Sequence, residues 1–199
     1  MNAAGNDKLV ALVDEIRACR HCAAHLPHAP RPVLRVAPGA KLLIIGQAPG
    51  TKVHASGIPW DDASGERLRA WMGLSKERFY DTRNIAIMPM GLCYPGKGQS
   101  GDLPPRRECA PLWHQRVLER LPAVELTLLI GAYAQRYYLR DDRSRSLTEL
   151  VQRWRDFAPR YLPLVHPSPR NRLWLARNPW FEAELVPVLR ERVQQLLGT

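Results

Sequence analysis

Four cysteines in this sequence are spaced so that they could share one inorganic centre. Cys19 and Cys22 form a C-x2-C pair, while Cys93 and Cys109 bracket a longer loop rich in glycine and proline. In a reducing compartment, thiols in such a pattern bind metal more often than they form disulfides. Thiolates hold either tetrahedral zinc or a [4Fe–4S] cluster. The open second spacing does not match the C-x2-C repeat of a zinc ribbon and favours the cluster, with zinc and four unrelated buried cysteines as the alternatives.

Two further motifs follow short apolar runs. The first is Gly46-Gln47-Ala48-Pro49-Gly50, and the second is His166-Pro167-Ser168-Pro169-Arg170-Asn171. Any tight turn between a strand and a helix favours glycine and proline, so the first motif alone is a weak signal. A lone histidine after a strand is more often structural, but here prolines stiffen the loop and Arg170 and Arg172 add positive charge. Stiffness combined with charge is typical of a loop that reads DNA.

The charge of the chain also points towards a polyanionic partner. Lys and Arg number 29 against 19 Asp and Glu, which gives a formal net charge of +10 and a sequence pI near 10.0. Nucleic acid is the first candidate, although charge alone is equally compatible with a basic protein that binds none. A metal centre would tie the N-terminal helix to the loop after the second strand. It would then present Lys97, Arg106 and Arg107 to DNA phosphates.

Length and hydropathy bound the remaining possibilities. No stretch of the 199 residues approaches the roughly 20 apolar residues that a membrane-spanning helix requires. Residues 1–8 lack the apolar run of a secretory signal. We therefore expect a cytoplasmic, monomeric protein that forms one domain over residues 1–199 and has no membrane partner.

The elements that must position these motifs alternate along the chain. Helical spacing over residues 7–18 predicts a helix that leads to Cys19. Four apolar runs, separated by segments of helical periodicity, predict strands over residues 41–45, 84–90, 124–130 and 161–165. Right-handed crossovers place helices on both faces of a parallel sheet. We therefore predict a three-layer α/β/α sandwich with a central four-stranded parallel sheet, and ligands in such folds bind beyond the carboxyl ends of the strands.

The two strand-end motifs resemble the two signature loops of the uracil-DNA glycosylase superfamily, and the cysteine spacing resembles its iron–sulfur branches. The order of these landmarks along the chain is also that of the family. Residues 57–65 resemble the segment in which these enzymes stack an aromatic ring on the extruded base, and Trp60 falls at the aromatic position. Without the resemblance, Trp60 would be interpreted as a core aromatic.

The resemblance implies a division of labour among these residues. A glycosylase flips its base out of the duplex and holds it between an aromatic face and hydrogen-bonding groups. Trp60 would supply the face, and His166 would donate a hydrogen bond to the departing base oxygen. Backbone amides of residues 46–50 would add further donors, and Met90 and Ser168 would complete the base pocket.

The carboxylate that such chemistry needs is missing from the first loop. Gln47 and Ala48 are uncharged, whereas some branches carry an acidic residue there. One iron–sulfur branch instead uses an aspartate just after the stacking aromatic, which makes Asp62 the first candidate to orient a water and stabilise the cationic sugar. Asp61 is the second candidate and His54 the third. Asp62 is equally suited to cap a helix that begins at residue 63.

A second departure concerns the preferred base. Relatives that read uracil place an asparagine on the strand before the third cysteine, where this chain has Met88-Pro89-Met90. Base discrimination could then rest on backbone groups, or the lesion could be a deaminated purine. Leu173, just after the second loop, is a candidate to fill the gap left by a flipped base but would also suit a core.

Three functions therefore remain open at this level. The first is a monofunctional DNA glycosylase that hydrolyses the bond to uracil or another deaminated base. The second is a module of the same fold that grips damaged DNA without efficient excision, which the uncharged Gln47 and Ala48 would suit. The third is a zinc-stapled protein that uses its basic surface on RNA or on a protein partner.

Overall fold

The computed structural model describes residues 3–99, 101–140, 142 and 146–198. Its centre is a sheet of four parallel strands, and each of the four predicted apolar runs contributes one strand, shorter than the run itself. A separate antiparallel hairpin follows the second strand. The strands are β1 (Leu42–Ile45), β2 (Ile85–Ile87), β3 (Lys97–Gly98), β4 (Gly101–Asp102), β5 (Leu126–Ile130) and β6 (Tyr161–Leu164).

The central strands lie in the order β2-β1-β5-β6. In this register Leu42 of β1 lies between Ile85 of β2 and Leu126 of β5. Pro163 lies in β6, the last strand in the order, where a residue without an N–H removes no hydrogen bond from the middle of a sheet. Because all neighbouring strands of this sheet pair in parallel, the carboxyl ends of the four strands lie at one edge.

Helices cover both faces of this sheet, as predicted. Their ranges are α1 (Ala3–Arg17), α2 (Thr51–Ser56), α3 (Ala63–Met72), α4 (Lys76–Phe79), α5 (Cys109–Leu118), α6 (Ala132–Tyr138), α7 (Leu147–Gln152), α8 (Arg172–Arg177) and α9 (Val186–Leu197). Side chains of β1 alternate between two cores, because successive residues of a strand point to opposite faces. Leu42 and Ile44 pack with α3 and α9, whereas Leu43 and Ile45 pack with α1 and α5. The three-layer α/β/α prediction is confirmed.

Local sequence signals place some helix ends correctly and miss another. The sequence Ser146-Leu147-Thr148-Glu149 has the form of a capping box and predicts a helix start. In the structure the Ser146 hydroxyl accepts a hydrogen bond from the Glu149 N–H at the start of α7. The sequence Asn178-Pro179 predicts an N-cap with proline at the first helical position. In the structure, however, the Asn178 side-chain amide donates to the Trp174 carbonyl and its side-chain oxygen accepts from the Trp180 indole. A π-helical turn, Phe181–Leu185, instead leads into α9. The Asn178 amide is therefore occupied by two other near neighbours in the chain and does not cap a helix.

Over the described residues, no helix combines the length and the apolar character that a transmembrane span needs.

Candidate active site

A cavity of about 560 Å³ opens at the carboxyl edge of the sheet. Both predicted loops line it, the first after β1 and the second after β6, together with residues between α2 and α3. This agrees with the general position of ligand sites in open α/β sheets. From the sequence prediction, the lining includes Gly46, Gln47, Ala48, Pro49, Gly50, Trp60, Asp62, His166, Ser168, Arg170 and Asn171.

Trp60 is held in an unusual backbone conformation at this cavity. Its φ is 60°, in the left-handed region that bulky residues rarely adopt. Its carbonyl accepts a hydrogen bond from Arg69 Nη1 at 3.2 Å, and its ring lies 5.5 Å from the His166 ring, centroid to centroid. Strained residues of this kind cost on the order of 1–3 kcal/mol and persist only where the surroundings enforce them.

Two glycines allow Trp60 to occupy this position. A Cβ on Gly46 would lie 2.7 Å from the indole Cζ2, and a Cβ on Gly65 would lie 1.8 Å from the Trp60 carbonyl oxygen. Real Cβ atoms do not approach so closely, so both sites require glycine for close contact. The ring therefore packs directly on the backbone at the end of β1.

His166 presents a defined tautomer. The Ser168 N–H donates to His166 Nδ1 at 3.2 Å, so Nδ1 is an acceptor and the ring proton resides on Nε2. Burial lowers the pKa of His166 below its usual value. The nearby charge of Asp62 acts in the opposite direction but is the smaller effect. The Asn171 amide fixes the backbone by donating to the His166 carbonyl at 2.7 Å. The result is a neutral imidazole whose Nε2–H is its hydrogen-bond donor.

Asp62 combines the two roles that the sequence left open. It is the N-cap of α3, where Oδ1 accepts from the Gly65 N–H at 2.9 Å. It also lines the cavity, close enough for its charge to act on His166. Capping engages Oδ1 and leaves Oδ2 for another partner, so one role does not exclude the other.

The other two candidate bases lie elsewhere. The Asp61 carboxylate is 3.5 Å from Lys76 Nζ, and neither Asp61 nor His54 belongs to the described cavity lining. The His54 ring packs against His28 and Tyr94, with centroids 5.2 and 5.8 Å away.

The wall at the end of β2 is apolar. Ile87 and Pro89 face the cavity, while Met90 is buried behind it and lies outside the lining. The Met90 N–H donates to the Gly46 carbonyl, and the Gly91 N–H donates to the Gln47 carbonyl, both at 2.9 Å. The first loop is therefore tied to the extension of β2 by backbone hydrogen bonds.

Sequence reasoning missed three polar residues of the lining. Ser64 is 8% exposed, follows Asp62 on α3, and could have been found from its place in the first helical turn. Lys52 lies on α2, and Asp102 reaches the cavity from the hairpin β3–β4. Asp102 had no local signal, because only the folded hairpin brings it beside Gly50.

The predicted DNA-contacting residues fall into two groups. Arg170 and Asn171 line the cavity, and Arg172 is exposed at the start of α8 next to Leu173, which is 69% exposed. The high exposure of Leu173 excludes a core role. Lys97 and Arg107 are exposed outside the lining, while Arg106 pairs with Glu108 at 2.7 Å.

The four cysteines border a second, small cavity between the residues after α1 and the start of α5. The Leu92 N–H donates to Cys109 Sγ at 3.3 Å. Burial is the largest cause that raises the pKa of Cys93 to about 11 and that of Cys109 to about 12, and the neighbouring thiols act in the same direction. Within the described part of the chain, however, no group of three or more His, Cys, Asp or Glu side chains is arranged to hold a metal ion.

The fold is an open α/β sheet, and its cavity lies at the carboxyl ends of the strands, where such folds bind ligands. The profile of the Uracil DNA glycosylase superfamily matches residues 35–190. The chain therefore belongs to this superfamily, and membership supports a glycosylase-type function. A solved structure, the solution NMR structure of a Methanosarcina acetivorans protein provisionally assigned as a uracil DNA glycosylase, is similar at 16% identity and a TM-score of 0.45. The similarity covers 82% of this chain and 98% of that one.

Proposed function

We propose that this protein is a monofunctional DNA glycosylase that hydrolyses the N-glycosidic bond of uracil or another deaminated base after flipping it from DNA. The observation that carries the proposal is the strained, tightly held Trp60, which faces the same cavity as His166 and Asp62. Strain of this kind clusters at functional sites.

In the proposed reaction, Trp60 stacks on the base and His166 Nε2–H donates to a base carbonyl oxygen. As the C1′–N bond breaks, negative charge moves to the base, where this donor stabilises it. Asp62 Oδ2 orients a water, stabilises the positive sugar and accepts the proton that the water loses when its oxygen bonds to C1′. The products are a free base and an abasic site.

The apolar wall of Ile87 and Pro89 bears on which base is accepted. No side-chain amide is present on this stretch, so the polar edge of the base would meet Gln47, Ser64, Ser168 or Asn171. A buried polar group without a partner costs about 1–3 kcal/mol, enough to decide between similar bases. We keep uracil and the deaminated purines as the substrate class.

DNA contact is proposed for the basic residues around the cavity mouth and for the loop near the cysteines. Arg170, Asn171 and Arg172 lie at the end of the loop that begins with His166, so a flipped nucleotide would bring its phosphates to them. Lys97, Arg106 and Arg107 would extend this contact along the backbone. The net charge of +10 favours association with DNA.

We further propose that Cys19, Cys22, Cys93 and Cys109 hold a [4Fe–4S] cluster, with structural zinc as the alternative. The support is that all four thiols border one small cavity and that an all-thiolate donor set suits either centre. When bound, the centre would neutralise thiolates that burial otherwise disfavours. Purified protein should be brown, absorb at about 400 nm and contain about four iron atoms per chain. Stoichiometric zinc in a colourless protein would support the alternative.

A damaged-DNA-binding module that lacks efficient excision is the second candidate. The observation in its favour is that Asp62 Oδ1 is committed to capping α3, while the first loop offers no carboxylate. Such a module would bind damaged DNA and release no base.

Base release from oligonucleotides containing uracil, hypoxanthine or xanthine, single-stranded and double-stranded, separates the two candidates. Alkaline cleavage at abasic sites reports the product. We expect release of at least one base by the wild-type protein and its loss in His166→Ala. Tight binding of all six substrates without release would establish the binding module instead.

A further inference from the structure

A buried histidine outside the cavity forms a hydrogen-bonded chain that ends on the cavity wall. His114 of α5 is 1% exposed. Its Nε2 lies 3.1 Å from the Pro89 carbonyl oxygen, and its Nδ1 lies 2.6 Å from the Tyr138 hydroxyl of α6. Both ring nitrogens of His114 therefore have hydrogen-bond partners.

The direction of both hydrogen bonds follows from the groups involved. A carbonyl oxygen can only accept, so Nε2 must carry the proton and donate to Pro89. Nδ1 is then the acceptor, and the Tyr138 hydroxyl donates to it. Burial lowers the pKa of His114 to about 4, so the ring stays neutral near neutral pH. Tyr138 thus selects the tautomer that can hold Pro89.

Pro89 is the point at which this chain meets the base cavity. Its ring belongs to the apolar wall, and the carbonyl is the one hydrogen-bonding group that its backbone has, because proline lacks an N–H. On either side, Met88 donates to the Ile44 carbonyl and Met90 donates to the Gly46 carbonyl. Without His114, the carbonyl between these anchored residues would be buried and unpaired.

We propose that His114 is a positioning residue for the base cavity, which acts through its hydrogen bond to Pro89 and is oriented by Tyr138. The inference rests on the proposed glycosylase function. Rotation of the Pro89 peptide would move the wall against which the base packs. It would also disturb the first loop, because Met90 and Gly91 donate to Gly46 and Gln47.

Paired substitutions test this role. His114→Gln places an amide donor near the original Nε2, whereas His114→Asn places it near Nδ1, and Tyr138→Phe removes the donor to Nδ1. We expect kcat for base release to fall about tenfold or more in His114→Asn and Tyr138→Phe, the loss typical of one buried hydrogen bond, and to be largely retained in His114→Gln. The ratio of uracil to hypoxanthine release should change in the same two variants.

A control separates positioning from loss of stability. Trp71→Phe removes a hydrogen bond from the Trp71 indole to Glu182, two residues that lie outside the described cavity lining, and should lower Tm without altering either kcat or the base ratio. Assays are run well below the Tm of every variant. Equal kcat and base ratio in wild type, His114→Asn and Tyr138→Phe would overturn the positioning role.

Hydrogen exchange tests the same link independently of activity. We expect faster amide exchange at Met90 and Gly91 in His114→Asn than in His114→Gln. Unchanged exchange in this segment would also overturn the inference. Failure of the wild-type protein to release any base would overturn the proposed function alone, since the exchange result would still decide whether His114 holds the wall.

Discussion

The rings of Trp60 and His166 lie 5.5 Å apart, centroid to centroid, with their planes inclined by 32°. One residue follows β1 and the other follows β6, and the two strands are separated in the sheet by β5. Parallel strands bring their carboxyl ends to one edge, so residues far apart in the chain meet there. The pair defines the part of the cavity in which a planar base would be held.

Asp62→Asn separates the charge of Asp62 from its capping role. Asparagine caps helices about as well as aspartate, so the Tm of Asp62→Asn should stay close to that of the wild type. The Tm of Asp62→Ala should fall more, because loss of the cap costs about 1 kcal/mol of folding stability. If Asp62 orients the attacking water as proposed, base release by Asp62→Asn should fall by about 10²-fold or more, because the carboxylate is gone. Single-turnover rates and thermal melts measure both effects. Asp61→Asn is the matched control, and a wild-type rate for Asp62→Asn would rule out the catalytic role.

His166 should determine the acid side of the pH–rate profile. Because burial lowers its pKa, the neutral ring, whose Nδ1 accepts from the Ser168 N–H, persists below the usual histidine pKa of about 6.5. Activity should fall only at lower pH, where protonation of Nδ1 breaks this hydrogen bond and turns the ring. Removal of the donor in His166→Ala should cost about 10²–10³ in rate and abolish that limb. A profile that declines at or above the usual histidine pKa would contradict this assignment.

The contacts of Trp60 predict different consequences at two glycines. The Cβ of Gly46→Ala would strike the indole ring, which can shift, so base release should fall with modest loss of stability. The Cβ of Gly65→Ala would strike the Trp60 carbonyl, which is backbone and cannot shift in this way. We therefore expect the free energy of unfolding to fall by about 1–3 kcal/mol or more. Gly5→Ala is the control: nothing lies within 4 Å of its Cβ, and alanine should stabilise α1 by about 0.5–1 kcal/mol. Denaturant unfolding and base-release assays together test this order.

Folding stability should depend on pH through His114. The folded-state pKa, about 4, lies below the unfolded value, so the unfolded chain binds more protons between about pH 4 and 6.5. Stability is therefore complete above that window and falls as pH is lowered through it, by on the order of 3 kcal/mol for this residue. Urea unfolding across this range in wild type and His114→Gln tests the effect. Equal pH dependence in both proteins would show that other groups dominate.

Arg172 should contribute to DNA affinity rather than to the chemical step. It is exposed beside the second loop. If Arg172 neutralises one phosphate, Arg172→Ala should reduce the slope of log affinity against log salt by about 0.9 on duplex DNA. Arg155→Ala is the control, because Arg155 stacks on Trp154 before the amino end of β6, at the opposite edge of the sheet. Equal slopes for Arg172→Ala and wild type would remove Arg172 from the interface.

Local patterns were sufficient for the strands and for much of the lining. The runs that became β1 and β6 are continuous apolar segments, and the loops after them contain the glycines and prolines that end them. The cap at Ser146 was readable because capping involves residues only three apart. The Asn178 prediction was wrong, since the Asn178 amide bonds to Trp174 and Trp180, and the sequence carried no signal for the π-helical turn after it.

The sequence by itself determined the layered α/β/α fold and the strand ends that border the cavity. These depend on apolar periodicity and on short glycine- and proline-containing motifs, which interactions between near neighbours in the chain encode. Trp60, Asp62 and His166 were predicted as site residues from the resemblance to the superfamily, and all three line the cavity. Only the tertiary structure decided that Asp62 both caps α3 and faces the cavity, and that His54 does not line it. It also brought Asp102 to Gly50 and His114 to Pro89, because such contacts depend on how whole elements pack and no local pattern records them.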